Sequence, residues 1–207
     1  MRMFMAVIAC VAWFALLLQF PLTIATSRAN GMTVLGAVIA YFSFFTILTN
    51  LIVALGLTCS LLLADSRWGG FFSSPVVVSG TALYTAIVGA LYSFLLRQLW
   101  NPEGFQKIAD VLLHDVVPLA YVTYWILLVP KGRLRWRDTV WWSIYPLVYL
   151  ALIMIRGAIS GRYPYPFIHA GSLGYAPALS NAMMLFAGFL AAGLLLVAVD
   201  KLQRPKA

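Results

Sequence analysis

IADVLLHDVVPLAYVTYWILLVP, Ile108 to Pro130, is the stretch that decides what kind of protein this is. It has the length of a bilayer-spanning helix and is mostly apolar. Three ionisable residues, Asp110, His114 and Asp115, nevertheless sit in its first half. Charges within a span are costly, so they usually face a bundle interior or a wet cavity and mark function. Asp110 and His114 are four apart and share one helix face. A carboxylate there can accept the proton of one imidazole nitrogen and leave the other free as a base. The competing reading puts both aspartates at headgroup level and lets His114 hydrogen-bond a neighbouring helix.

The rest of the chain has the same character. Of 207 residues, 63% are hydrophobic and 10% are charged, against about 25% charged in a soluble domain. The fold class expected is therefore all-α, a polytopic membrane protein of six transmembrane helices forming a single domain over 1–207. A net charge of +8 would suggest nucleic acid in a soluble chain. Here the basic residues lie between apolar runs, so they read as topology signals and lipid-headgroup contacts, and no nucleic-acid partner is expected. Cys10 and Cys59 both fall within apolar runs, which argues against a disulfide framework. With only His114 and His169 available, no His-rich metal cluster can be built, and no cofactor or metal is expected.

The apolar runs give six spans: Met3 to Ala25, a stretch within Val34 to Ala64, Val76 to Leu96, Ile108 to Pro130, Val140 to Ile155, and Pro177 to Val199. The first run is too long and too uniform for the core of a cleaved signal peptide, so it reads as a retained span. The second is too long for one untilted helix and carries YFSFFTILTN, Tyr41 to Asn50, which places Thr46, Thr49 and Asn50 near mid-membrane. Trp141 and Trp142 open the fifth span as interfacial anchors. YPYPF, Tyr163 to Phe167, reads as part of the aromatic belt, with a lid over a pocket as the alternative. With both termini in the cytosol the inner segments carry nine of the 14 basic residues and the outer loops five, which favours that orientation.

Spans two, four and six then run from outside to inside. Thr46 is 19 residues before Asp65, His114 is 17 before Lys131, and Asn181 is 19 before Asp200. At 1.5 Å per residue all three lie roughly 25–29 Å from the inner boundary, in one layer. A shared polar pocket predicts that agreement. A hydroxyl, a histidine and an acid are a nucleophile, its base and the base's orienter. Thr46 would attack, His114 would take its proton, Asp110 would hold the ring, and Asn181 or Asn50 would donate to the oxyanion. The same pocket could instead bind or move a lipid or small solute without catalysis. No matching pair of broken helices and no repeat supports transport.

FFTILTNL (Phe44 to Leu51), LLHDVVPL (Leu112 to Leu119), IRG (Ile155 to Gly157), YPYPF and LLLVAVDKL (Leu194 to Leu202) come in an order and spacing that resemble the androgen-induced gene one and ADTRP family of six-span membrane proteins, its bacterial branch in particular. The resemblance spans most of the chain. It implies an intramembrane threonine hydrolase that cleaves fatty acid esters of hydroxy fatty acids, with Thr46 and His114 in the two catalytic positions. It also implies a membrane lipid or fatty acyl ester as the partner, and a bacterial cell membrane as the location. Where the family has an acidic residue shortly after Y-P-F, this chain reads Ile168-His169.

Overall fold

The computed structural model describes residues 1–203; Arg204 and Lys206, counted among the inner basic residues, lie outside them. Among the described residues 81% of the chain is helical, with no strand, and six helices are long and apolar enough to cross a membrane. The protein is an all-α, multi-pass membrane protein. A bilayer interior offers no water to the backbone, so each apolar run must satisfy its own N–H and C=O groups, which a helix does. The chain divides into two compact units, Met1–Pro130 and Lys131–Ala207.

The first unit holds four spans. Helix α1 (Arg2–Ala29) is followed by a short α2 (Val34–Tyr41), then α3 (Phe45–Leu62), a short α4 (Arg67–Phe72) and α5 (Pro75–Leu91). The fourth span is assembled from α6 (Gly104–Val111), a π-turn at Leu112–Val116 and α7 (Val117–Leu128). A second π-turn, Tyr92–Leu96, extends α5. Helix α1 packs along α3, and α5 along α7. Ala12 and Ala15 on α1 and Val53 and Ala54 on α3 are fully buried. Small side chains of this kind let helices approach closely when lipid supplies no hydrophobic drive. Polar ties then fix the register: Trp13 Nε1 donates to Thr58 Oγ1 at 3.1 Å, and the Arg2 guanidinium donates to the Leu61 carbonyl at 3.0 Å, in the last turn of α3. After α3 the chain doubles back so tightly that a Cβ on Gly69 would lie 1.9 Å from the Leu63 carbonyl oxygen, so only glycine fits there.

The run Val34 to Ala64 is broken in two. Tyr41 is anchored by its hydroxyl to the Leu16 carbonyl at 2.8 Å and edge-on to Phe20, and the Ser43 hydroxyl turns back onto the Ile39 carbonyl. Helix α3 starts afresh at Phe45, so Thr46 is in its first turn rather than in the middle of a long span. Eighteen residues of α3 extend about 27 Å, close to the hydrocarbon thickness by themselves.

The second unit pairs α8 (Asp138–Ser160) with α10 (Tyr175–Leu202), with a 3₁₀ turn at Pro166–Ile168 and a single-turn α9 (Ala170–Leu173) in the connection. Ile153, Ile168 and Ala182 form its buried centre, with Tyr165 and Phe167 packed on it. Tyr165 and Phe167 stack at 5.2 Å, and Tyr163 lies against Gly157, so YPYPF is built into this small core. Trp141 is 65% exposed, as an interfacial anchor would be, whereas Trp142 is 4% exposed and packs inward. The basic loop after Lys131 is held by two acids. Asp200 Oδ2 accepts the Leu134 N–H at 3.0 Å, its carbonyl accepts the Gly132 N–H at 3.1 Å, and Asp138 accepts the Arg135 N–H at 2.8 Å. Burial pushes the Lys131 ammonium below its ordinary value, with the Asp200 charge pulling the other way.

Candidate functional site

The π-turns are the local departure from which the site is built. Such turns are rare and frequent at functional sites. In the fourth span the Val117 N–H reaches back five residues to the Leu112 carbonyl. Pro118 follows and has no N–H to give, so the Leu113 carbonyl, five residues back, loses the partner that the wider register would supply. An unpaired carbonyl in an apolar interior costs several kcal/mol. Asn50 takes its place: Asn50 Nδ2 donates to the Leu113 carbonyl at 3.2 Å and to the Thr46 carbonyl at 2.9 Å. Asn50 is fully buried. One side chain thus straps the first turn of α3, which carries Thr46, to the turn that carries His114. Gly89 on α5 permits the approach from the other side, since a Cβ there would lie 3.2 Å from the His114 carbonyl oxygen and 3.4 Å from the Pro118 ring.

His114 itself is partly buried, its side chain 16% exposed. Its Nδ1 lies 3.0 Å from the Asp110 carbonyl oxygen and 3.2 Å from Asp110 Oδ1. Both neighbours are acceptors, so Nδ1 turns an N–H to them, and in the neutral ring Nε2 is the basic nitrogen. The Asp110 carboxylate is buried, and its other oxygen accepts the Tyr92 hydroxyl. Tyr92, the first residue of the π-turn in α5, also lies flat on the imidazole, ring centroids 3.9 Å apart and planes 12° apart. On Tyr92 rests the Arg97 guanidinium, 4.9 Å from the ring centroid, which is ion-paired with Asp115. That hydrogen bond to Asp115 raises the Arg97 guanidinium above its ordinary value.

The residues singled out from the sequence are therefore distributed as follows. Thr46, Asn50, Asp110 and His114 all belong to the first unit. Thr46 is buried at 7% exposure in the first turn of α3, and the N-cap Phe44 supplies no side-chain acceptor to that turn. Asp110 stands beside the ring as its four-residue spacing implies. Asn50 uses its amide nitrogen as the strap, and its Oδ1 is buried with no hydrogen-bond partner among the described residues. Asn181 is in the second unit, where its amide donates to the Phe167 carbonyl at 2.9 Å. His169 accepts the Ser172 N–H at 3.1 Å and caps α9. Tyr92, Gly89, Pro118 and the Leu113 carbonyl are absent from the sequence-derived set. Pro118, a proline inside a span, is the one signal that could have pointed to the altered turn. Among the described residues no group of three or more His, Cys, Asp or Glu could hold a metal ion.

Compared with protein-family models, with curated proteins and with solved structures, the chain matches none.

Proposed function

We propose that the protein is an intramembrane lipid-ester hydrolase of the kind its resemblance to the androgen-induced gene one and ADTRP family implies, using Thr46 as nucleophile and His114 as general base. The observation that carries the reading is the imidazole with Nδ1 turned to Asp110, on a turn strapped by Asn50 to the first turn of α3, which carries Thr46. A threonine hydroxyl attacks only once a base removes its proton. The orienting role falls to Asp110. Thr46 sits in the first turn of α3, where backbone N–H groups have no helical partner and the helix dipole is positive. That end of α3 would stabilise a developing oxyanion, a role for which the Asn50 amide nitrogen, already donating twice, is poorly placed. The substrate class is a long-chain acyl ester entering from the bilayer, fatty acid esters of hydroxy fatty acids first among them. The protein would work in the bacterial cell membrane with both termini cytosolic. Outside-accessible cysteines in the loop from Lys131 to Arg137 would overturn that orientation.

The deciding experiment is an active-site label. A serine-hydrolase-type activity probe should label Thr46 in wild-type membranes, and Thr46→Ala should abolish both labelling and turnover of long-chain esters. Thr46→Ser keeps the oxygen and should retain some activity. Purified wild type that turns over no better than Thr46→Ala and His114→Ala would end the hydrolase reading and leave the binding or transport role.

A further inference from the structure

The imidazole is held from a direction that neither the sequence motifs nor the catalytic reading uses. The buried Asp110 carboxylate has two oxygens to satisfy. Oδ2 receives the Tyr92 hydroxyl, and Oδ1 has no hydrogen bond of good geometry, its nearest polar neighbour in an ion-pair contact being His114 Nδ1 at 3.2 Å. A carboxylate buried this deeply is costly unless its oxygens are met by donors. With one rotamer fixed by the phenol, the remaining oxygen is aimed at the ring. The same tyrosine covers the face of that ring at 3.9 Å, so it restrains the imidazole's plane as well. Tyr92 can do both because it opens a π-turn of its own, closed by the Arg97 N–H to the Tyr92 carbonyl at 2.8 Å. Arg97 on its outer face and the Asp115 beyond it pin the phenol ring in place.

We infer that Tyr92 is a positioning residue that fixes the tautomer and the plane of His114 through Asp110, so that Nε2 faces outward as the base. The phenol holds the carboxylate, the carboxylate and the Asp110 carbonyl together hold the Nδ1 proton, and the ring stack prevents rotation. The other helices packed on this turn, α1 and α3, bring Arg2, Cys10 and Arg28, and Cys59. Among the described residues none of these makes a hydrogen bond or ion pair to Asp110 or His114. Free neutral histidine prefers the proton on Nε2, so the bias toward Nδ1–H is something the surroundings must impose.

The catalytic meaning of this role rests on the hydrolase reading, but the state of the ring can be read without turnover. The protein has two histidines, so ¹⁵N-histidine NMR in nanodiscs, with His169→Asn for assignment, observes His114 alone. Wild type should show one neutral form, protonated at Nδ1. Tyr92→Phe keeps the stacking ring and removes only the hydroxyl. It should shift the population toward the Nε2–H form and lower kcat by roughly tenfold with KM little changed. Asp110→Asn should do the same, and the double variant should add little to either. Ring signals in Tyr92→Phe that match wild type, or fully additive effects, would overturn the inference. Absence of ester turnover in wild type would sink the hydrolase reading alone, because the ring populations would still decide the role of Tyr92.

Discussion

Asp110 in the first unit and Asp200 in the second are both buried carboxylates, and the two are held in opposite ways. Asp200, 1% exposed near the end of α10, is met by the Leu134 backbone N–H, while its own carbonyl takes Gly132. Asp110, 4% exposed, is met by a phenol and an imidazole. Backbone donors cannot exchange protons with a carboxylate at neutral pH. Side-chain partners with ring nitrogens can. The first arrangement fixes a loop, and the second prepares a base. The two histidines divide in the same way. His169 spends its Nδ1 as an acceptor on a one-turn helix, and His114 spends its Nδ1 as a donor and keeps Nε2 available.

The largest expected effect separates the histidines. His114→Ala should lower ester turnover by about a thousandfold or more while the protein still expresses and runs as a folded species in detergent, as loss of a catalytic base does in a hydrolytic triad. His169→Ala should leave turnover within about twofold of wild type and cost only the order of 1 kcal/mol of a lost cap, read as a small drop in thermal unfolding midpoint. Equal losses in both would erase the distinction between the two regions. The carboxylates come next. Asp200→Ala should destabilise the protein by about 1–3 kcal/mol, because the Leu134 N–H is left buried without a partner. It should change the ring signals of His114 not at all. Asp110→Asn should do the reverse, with a smaller stability loss and a clear loss in kcat. The smallest of the set sharpens the site's geometry. Gly89→Ala places a methyl 3.2 Å from the His114 carbonyl, closer than most such contacts, so the π-turn must yield by a few tenths of an ångström. Turnover should fall by roughly tenfold with about 1 kcal/mol or less of stability lost. Unchanged kinetics in Gly89→Ala would mean that the turn's position is not critical.

The spans were legible because the bilayer thickness translates directly into run length. Each of the six membrane-length helices falls on one of the apolar runs, its ends within a few residues in five of them and the second confined to Phe45–Leu62 of its longer run. Asp110 beside His114 was legible for a similar reason, since i and i+4 are neighbours on any helix that is close to regular. The break at Phe42–Phe44 was not, because the residues around it are as apolar as the helix they interrupt, and the tyrosine anchor that ends α2 acts through α1, 25 residues away. Neither was the role of Asn50. Its partner is a backbone carbonyl set free by a proline 68 positions further along, a relation that no local pattern carries. Nor was the role of Tyr92: its contact with Asp110 and His114 depends on two turns whose wider register leaves no mark in composition.

A π-turn accommodates one residue more than the α-turn it replaces, so it works as an insertion in the angular phase of a helix. One residue of an α-helix subtends about 100°. Everything in α7 after Leu112–Val116 is therefore rotated by about that much relative to an unbroken helix of the same length. Tyr121, Tyr124 and Trp125 are all buried under that phase, with Trp125 Nε1 on Ser79 Oγ at 2.7 Å. Straighten the π-turn with all its residues kept and those three aromatic side chains swing away from α5 together; take one residue out of it and the helix runs on regularly with their facing kept. With the number of residues between Asp110 and Trp125 that this chain has, the widened turn is thus as much a requirement of the fold as their identities, and it sets both the facing of the base and the packing of the rest of the span.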